Sequence, residues 1–537
     1  MKDRRKINLK IMNKLSSMKL MKSSQYFIGV DIGTAGTKAV IFDSEGRQLA
    51  TAYEESKLYY PRVGWVEQKP EDFYNSTVNT VREVIKRSGV DPRDVSSIAF
   101  SGQMAGILAI DKNWSPVIPY DSWLDIRCKD YIDMLSERYA DLLIEVTGVP
   151  PTVDHLPKML WWKNERPQVF EKIYKFTVPS VYVAGRISNL TGDDAFYDYT
   201  YVTFTGLFDI RKMKWSEELS QIFDIPLDKL PRIVKPWEIV GELAAEEAER
   251  LGLVKGIPVV AGAGDGMACS LGAGLTKPGI CMDIAGTASA FYISIDKIVP
   301  DTKFKTLLHL KSVVPELWNI GAYINGGGLC LRWFRDELAK EVKKTAVESG
   351  VDPYKLLDEA ATRIPEGSEG LFFIPHLGGR AYPYNPRIKG LWMGFSWKHT
   401  AAHFYRSILE GIAYEYYHYL RILKELLEGV KIKEIRGIGG GSKSLIWNQI
   451  KADILGVPYI LLNREEYAAL ALVVLGGYAV GAFKDYVKTI DEWVKPIKRI
   501  EPRSEVHERY KKYVGFYEKV LERIDKVFEG HEDVLKA

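Results

Sequence analysis

Two copies of one local pattern, set 252 positions apart, constrain this chain more than anything else in it. The first is Tyr26–Ala50. Apolar Phe27, Ile28 and Val30 lead into Asp31-Ile-Gly-Thr-Ala-Gly-Thr-Lys38, then Ala39-Val-Ile-Phe42, a turn at Asp43–Gly46 and a third extended run. The second is Ile280-Cys-Met-Asp-Ile-Ala-Gly-Thr-Ala-Ser-Ala-Phe-Tyr-Ile-Ser294. Each reads as strand, aspartate, Gly-Thr turn, strand. Two such hairpins, each opening half of a chain of 537 residues, predict a duplicated α/β architecture with two related domains facing one another. The boundary falls near Leu271–Pro278. This divides the chain into 1–24, a basic tail or start-site artefact; 25–272 and 273–500, the two domains; and 501–537, a closing polar helix centred on Arg503–Glu529 and expected to be partly free.

Composition narrows the function classes. A hydrophobic share of 46% with 27% charged residues is that of a globular protein. The net charge is +3, and Lys2, Arg4, Arg5, Lys6, Lys10, Lys14, Lys19 and Lys22 of the tail more than account for it, so the body is mildly acidic. Nucleic acid is therefore not an expected partner. No apolar run approaches the ~18–20 residues that span a bilayer, so no membrane partner is expected either. The widely spaced Cys128, Cys269, Cys281 and Cys330 fit a reducing cytoplasm and give no zinc pattern.

The turns carry the chemistry. Gly33 and Gly36 let backbone N–H groups approach a ligand, Thr34 and Thr37 add hydroxyls, Lys38 adds positive charge, and Asp31 is a hard oxygen ligand for Mg²⁺. That mixture suits phosphate oxygens bridged by a metal, although a plain glycine hairpin would look the same in isolation. Val259-Val-Ala-Gly-Ala-Gly-Asp265-Gly delivers one carboxylate between glycines at the domain junction, where it can accept a proton from a substrate hydroxyl. Gly439-Gly-Gly-Ser-Lys-Ser444 joins a strand to a helix, a shape that can hold a nucleotide on backbone N–H groups. Trp161-Trp162, Trp333 and the tyrosines of 414–419 read as helix packing.

Taken in order, Asp31-Ile-Gly-Thr, Gly262-Ala-Gly-Asp265, Ala285-Gly-Thr-Ala-Ser and Gly439-Gly-Gly-Ser-Lys-Ser resemble the FGGY carbohydrate kinases, whose domains have the actin/Hsp70 (ribonuclease H-like) fold, with mixed sheets flanked by helices and the active site in the interdomain cleft. Gly390–Glu410 resembles that family's C-terminal signature, departing at Phe395, where a smaller aliphatic residue is usual. His155-Leu-Pro-Lys158-Met-Leu-Trp161 keeps only the Lys-x-x-Trp core of the N-terminal signature. The resemblance covers about residues 26–500. It implies ATP-dependent phosphorylation of a sugar or polyol hydroxyl, with ATP and Mg²⁺ as cofactors and Asp265 as the general base. Asp31 corresponds to the Mg²⁺-associated carboxylate, with Gly33, Thr34, Thr37 and Lys38 near the phosphates, and Gly286, Thr287, Gly328, Gly440, Gly441 and Ser444 at nucleotide-contacting positions.

Ser101-Gly-Gln-Met-Ala-Gly106 is most similar to the xylulose kinase segment, with Ala105 in place of a histidine. It lacks the Arg-Glu that glycerol kinases carry at the equivalent of Met104-Ala105. The resemblance thus implies a ketopentose such as D-xylulose, with another ketose or a polyol left open. Gln103, Met104, Trp123, Asp125 and Arg127 are the expected sugar contacts. Asp154 and His155 are candidates for the hydroxyl contacts that Ala105 cannot make. Self-association into a homodimer stays open, as do the metabolic pathway and the role of 1–24. Two other classes are weighed: an actin/Hsp70-like ATPase switch, which would need neither the Asp265 base nor the Trp123–Arg127 segment, and a silent sugar-binding regulator, which would be expected to lack the carboxylate at 265.

Overall fold

The computed structural model describes residues 25–536, so the basic tail lies outside the described residues. Two mixed sheets organise the chain. The first contains β1 (Tyr26–Ile32), β2 (Gly36–Asp43), β3 (Gln48–Glu55), β4 (Val95–Gly102), β5 (Ile239–Glu242) and β6 (Pro258–Gly264), in the order β5-β6-β4-β1-β2-β3. The second contains β7 (Ile280–Ala285), β8 (Ser289–Ile295), β9 (Leu308–Lys311), β10 (Trp318–Ile324), β11 (Glu434–Ile438), β12 (Tyr459–Leu462) and β13 (Pro496–Ile500), in the order β9-β10-β8-β7-β11-β12-β13. In each sheet a central strand heads an antiparallel meander on one side and runs parallel to two strands on the other, with an antiparallel strand closing that edge. The duplication read from the two hairpins is thus repeated in strand order and direction, and β9 is an added edge.

This pattern positions everything that follows. In α/β sheets ligands gather beyond the C-terminal ends of parallel strands. The parallel strands β1, β4 and β6 end at Ile32, Gly102 and Gly264, immediately before Gly33-Thr34, Gln103-Met104 and Asp265. The parallel strands β7 and β11 end at Ala285 and Ile438, immediately before Gly286-Thr287 and Gly439–Gly441.

Helices cover the sheets. Helix α1 (Pro70–Ser88) lies on β2 and β3, with Phe73, Thr77, Val81 and Val84 buried at helical spacing and a left-handed Gly89 stopping it. A smaller unit is built from α2 (His155–Glu165) and a four-stranded sheet of Glu67–Gln68, Pro116–Asp121, Ile107–Ile110 and Lys175–Thr177. It has its own apolar cluster around Ile107, Ile118, Leu160 and Phe176. Helices α4 (Asp265–Gly272) and α9 (Tyr467–Ala479) pack on one another and on the first sheet, and Met267 of α4 meets Asn319 on β10 of the second at 3.3 Å. Helix α9 comes from the second half of the chain yet packs on β1 and β4 of the first sheet, with Leu472 against Ala99 and Val260.

The closing helix, α10 (Ser504–Lys536), corrects the sequence expectation of a partly free element. Tyr510 and Tyr517 are fully buried, and their hydroxyls donate to the buried carboxylates of Glu410 (2.7 Å) and Glu415 (2.8 Å) on α7 (Ala401–Leu426). A polar sequence concealed an apolar stripe of Val506, Tyr510, Val514, Tyr517, Leu521 and Ile524 at the helical period. Phe395, the departure in the C-terminal signature, is 63% exposed, so its bulk meets no constraint.

Candidate active site

Asp265 opens α4 at the end of β6. The strand delivers it through an irregularity: its register against β4 shifts between Val260 and Ala263, where Gly262 adopts φ +73°. A Cβ at Gly262 would lie 1.7 Å from the Phe100 carbonyl oxygen, so only glycine fits. The Gly264 N–H donates to Thr200 Oγ1 at 2.9 Å, and Thr200 is in turn held by Asp198 at 2.6 Å. Among the described residues the Asp265 carboxylate accepts one bond, a local one from Gly266 N–H at 2.7 Å. Burial first, and the Asp31 carboxylate second, push its pKa to about 7. A carboxylate with no cationic partner and a pKa near neutrality is suited to taking a proton from an alcohol.

Asp31 stands beside Ser101 in the parallel β1–β4 register and accepts from the Ser101 hydroxyl at 2.7 Å. Its pKa is raised, chiefly by burial, with Ser101 and Lys38 pulling the other way. Its duplicate, Asp283, has been put to a different use. Asp283 is fully buried and saturated by Lys451 Nζ, Tyr416 OH (2.8 Å) and Tyr459 OH (2.7 Å), which fasten the second sheet to α7 and α8 (Leu445–Leu455). Of the paired aspartates, Asp31 alone keeps carboxylate capacity for a hard cation.

The other residues of the first hairpin divide by strand face. Gly33 closes the turn by donating to Gly36 O at 3.0 Å. Lys38 pairs with Glu466 at 2.9 Å, just ahead of α9. Thr37, next along β2, faces the opposite way. It is fully buried with its hydroxyl 2.7 Å from Ser76 on α1, so it fastens the sheet to its covering helix and is turned away from the phosphate side.

In the second domain Gly286, Thr287, Gly328, Gly440, Gly441 and Ser444 line one cleft of about 870 Å³. Glycine is required at its throat, since a Cβ at Gly328 would lie 1.9 Å from Gly286 O, and Leu329 N–H reaches Thr287 O at 3.1 Å. Ser444 caps α8 by accepting from Trp447 N–H at 3.2 Å. Leu331, Tyr354 and Ile446 give the cleft an apolar wall. Backbone amides at one end and apolar surface at the other suit a molecule with a phosphate tail and a flat ring.

The expected sugar contacts fall into two groups. Gln103, Met104, Asp154 and His155 are brought together beside Gly264-Asp265: Met104 packs on Gly264, and His155 Nε2–H donates to the Met104 carbonyl at 2.7 Å. Because that carbonyl can only accept, His155 carries its proton on Nε2. Burial pulls its pKa down to about 4, leaving Nδ1 as a neutral acceptor without a partner. Burial also pushes Asp154 well above the carboxylate range, and its Oδ1 has no partner. Trp123 is half-buried and its indole N–H donates to Thr34 Oγ1 at 2.7 Å.

Asp125 and Arg127 do not face a substrate, which corrects the expectation that they hold hydroxyls. Asp125 accepts from Val66 N–H (2.6 Å) and from Arg127, whose guanidinium also bonds Glu67 (2.7 Å) and lies 3.8 Å from the Trp65 ring centroid. Beneath them Lys158 of the Lys-x-x-Trp core bonds Asp121 (2.5 Å) and the carbonyls of Ser122 and Asp125. The segment is a buried clamp that holds the Trp123 loop. Sequence reasoning missed Gln68, the Thr200–Asp198 support, and three tyrosines of the second domain: Tyr292 and Tyr382, which are buried, and Tyr323, which is half-buried and in edge contact with Tyr382 at 5.1 Å. Their partners are distant in sequence, and no local pattern marks them.

Models of the FGGY family of carbohydrate kinases match 26–272 (N-terminal domain) and 282–480 (C-terminal domain). The chain is 31% identical to a gluconokinase of Bacillus subtilis over 86% of this chain and 89% of the relative. It is 28% identical to a xylulose kinase of Staphylococcus epidermidis over 92% and 96%. The fold matches crystal structures of a xylulose kinase (TM-score 0.85, 23% identity, 94% of this chain and 100% of that one) and a gluconate kinase (0.84, 24%, 94% and 99%), both from Lactobacillus acidophilus. Two actin-like domains meeting at the C-terminal ends of their parallel strands, with both family models matched in order, make this chain a member of the FGGY family of carbohydrate kinases, phosphotransferases that act on a sugar hydroxyl.

Proposed function

We propose that this kinase transfers the γ-phosphate of ATP to an uncharged open-chain sugar, a ketopentose such as D-xylulose. The observation that carries this reading is the electrostatics around Asp265. The groups acting on it are its own burial, the Asp31 carboxylate and one backbone N–H. No cation among the described residues acts on it: Lys38 pairs with Glu466, Lys158 with Asp121, and Arg127 with Asp125 and Glu67, its Nη1 being left without a partner in the clamp. A sugar acid would bring its carboxylate among carboxylates with no cation to receive it, whereas hydroxyls find neutral acceptors in Asp154 and His155. The xylulose kinases among the relatives support the same acceptor.

In this reading Asp265 takes the proton of the attacking hydroxyl. The nucleotide lies in the cleft of the second domain, with its phosphates toward Gly286-Thr287 and the Gly33-Thr34 turn. Asp31 fits Mg²⁺, which would neutralise charge on the transferring phosphoryl group. The domains then close on the pair, because water in an open cleft would compete with the sugar.

The test is ADP release by the purified protein with Mg·ATP against D-xylulose, other ketopentoses, polyols, glycerol and gluconate, beside a no-sugar control. Release with a ketopentose well above the rest is expected. Release highest with gluconate would overturn the uncharged-acceptor reading, and release that no sugar changes would favour a nucleotide-driven switch.

A further inference from the structure

Thr34 sits in the turn between β1 and β2, where a hydroxyl beside glycines would be expected to meet a phosphate. Its hydrogen bonds lead elsewhere. The oxygen accepts from Trp123 Nε1–H at 2.7 Å, and its proton goes to Gln103 Oε1 at 2.9 Å. Gln103 Nε2 donates onward to Gln68 Oε1 at 2.9 Å. Gln68 and Gln103 are each 1% exposed. With its oxygen accepting and its nitrogen donating inside the protein, the Gln103 carboxamide cannot turn over without breaking two buried bonds. The relay joins the strand Glu67–Gln68, the end of β4, the phosphate turn and the Trp123 loop.

We propose that Gln68 and Thr34 are positioning residues for the acceptor: they hold the Gln103 carboxamide and the Trp123 ring in place, so that the phosphate turn and the acceptor site form one hydrogen-bonded unit. This rests on the reading above that Gln103 and Trp123 face the acceptor. Trp123, its N–H already given to Thr34, offers the sugar only its ring face. Gln103 offers one N–H and one remaining lone pair. A ligand that shifts the Gly33-Thr34 turn must shift both groups, which links nucleotide binding to acceptor binding.

Kinetics of the full chain test this with the acceptor found in the screen, alongside ATP binding measured without acceptor and thermal melts to confirm folding. Thr34→Val and Gln68→Met each remove one link at nearly constant shape and are expected to raise the acceptor KM about tenfold, with the Kd for ATP changed less than about twofold. Thr34→Ser, which keeps the hydroxyl, is expected to stay near wild type. Because both links act through Gln103, the double variant should lose less than the product of the single losses. A Thr34→Val protein that weakens ATP binding and leaves the acceptor KM alone would make Thr34 a phosphate contact and overturn the proposal. Gln68→Met with unchanged kinetics, or fully multiplicative losses, would also overturn it. Gln103→Ala and Trp123→Phe run beside these: if neither moves the acceptor KM, it is the acceptor-site reading that fails.

Discussion

A single carboxylate, Asp265, sets the expected pH behaviour. Its pKa of about 7 reflects burial and the Asp31 charge. Transfer needs the ionised form, so kcat/KM for the acceptor should rise with pH through about 7 and level above it. The His155 imidazole, with its pKa near 4, adds no second step in that window; Asp198, which burial also pushes to about 7, reaches the site only through Thr200 and Gly264 and takes no proton from the acceptor. Asp265→Asn should retain nucleotide binding while phosphoryl transfer falls by orders of magnitude. The same raised pKa has a thermodynamic cost. The folded protein holds the Asp265 proton more tightly than the unfolded chain does, so this group's contribution to stability falls as pH rises from about 4 to 7. Asp265→Asn should therefore melt above wild type at pH 8, the gap narrowing toward pH 5; scanning calorimetry at the two values would show it, and equal melting temperatures at pH 8 would remove the cost.

At the scale of elements, the segment 121–127 shows how a functional loop is held by a buried ionic core. Lys158 on α2 and Asp121 are both fully buried and bonded at 2.5 Å. Lys158→Met would strand the Asp121 carboxylate and is expected to cost about 3–5 kcal/mol, read as a lower denaturant midpoint, with Asp121→Asn in the same chain recovering part of it. This loop also marks where sequence reading stopped. The strands and the two hairpins were legible because glycine spacing and apolar runs are local signals. The Gly-Thr and Gly-Gly-Gly turns were legible for the same reason, and of the ten residues expected at the nucleotide the six in the second domain line one cleft. Which side of a loop faces inward is decided by partners far along the chain. Arg127 meets Glu67 across 60 residues, and Lys158 meets Asp121 across 37. A Trp-x-Asp-x-Arg spacing carries no trace of either. Thr37 failed for a related reason: its face on β2 depends on a helix packing there, which a turn motif does not reveal.

Across the whole molecule, the pair α4–α9 couples chemistry to architecture, since α4 begins with Asp265 and α9, from the second half of the chain, packs on both α4 and the first sheet. The two helices approach closely enough that a Cβ at Gly272 would lie 1.9 Å from the Tyr467 carbonyl oxygen, and α9 sits so close to β1 that one at Gly29 would lie 2.8 Å from Ala469 O. Both obstacles are backbone and cannot swing aside. Gly272→Ala should therefore push the helices apart, lowering the melting temperature by several degrees and reducing kcat together, whereas a surface Gly→Ala at Gly440, where nothing lies within 4 Å, should leave the melt unchanged. A loss of stability without loss of kcat would show that α4 positions Asp265 independently of its neighbour.

The crossing of α9 onto the first sheet also matters while the protein is being made. Residues 26–272 leave the ribosome first, yet one face of β1 and β4 receives its cover from residues 467–479. For most of synthesis the first domain presents Ala99 and Val260 without Leu472, an apolar surface waiting on about the last eighth of the chain. The first half, made alone, would not contain its own complete core. The family's two domains are thus separate in sequence and in pattern but are one unit in folding.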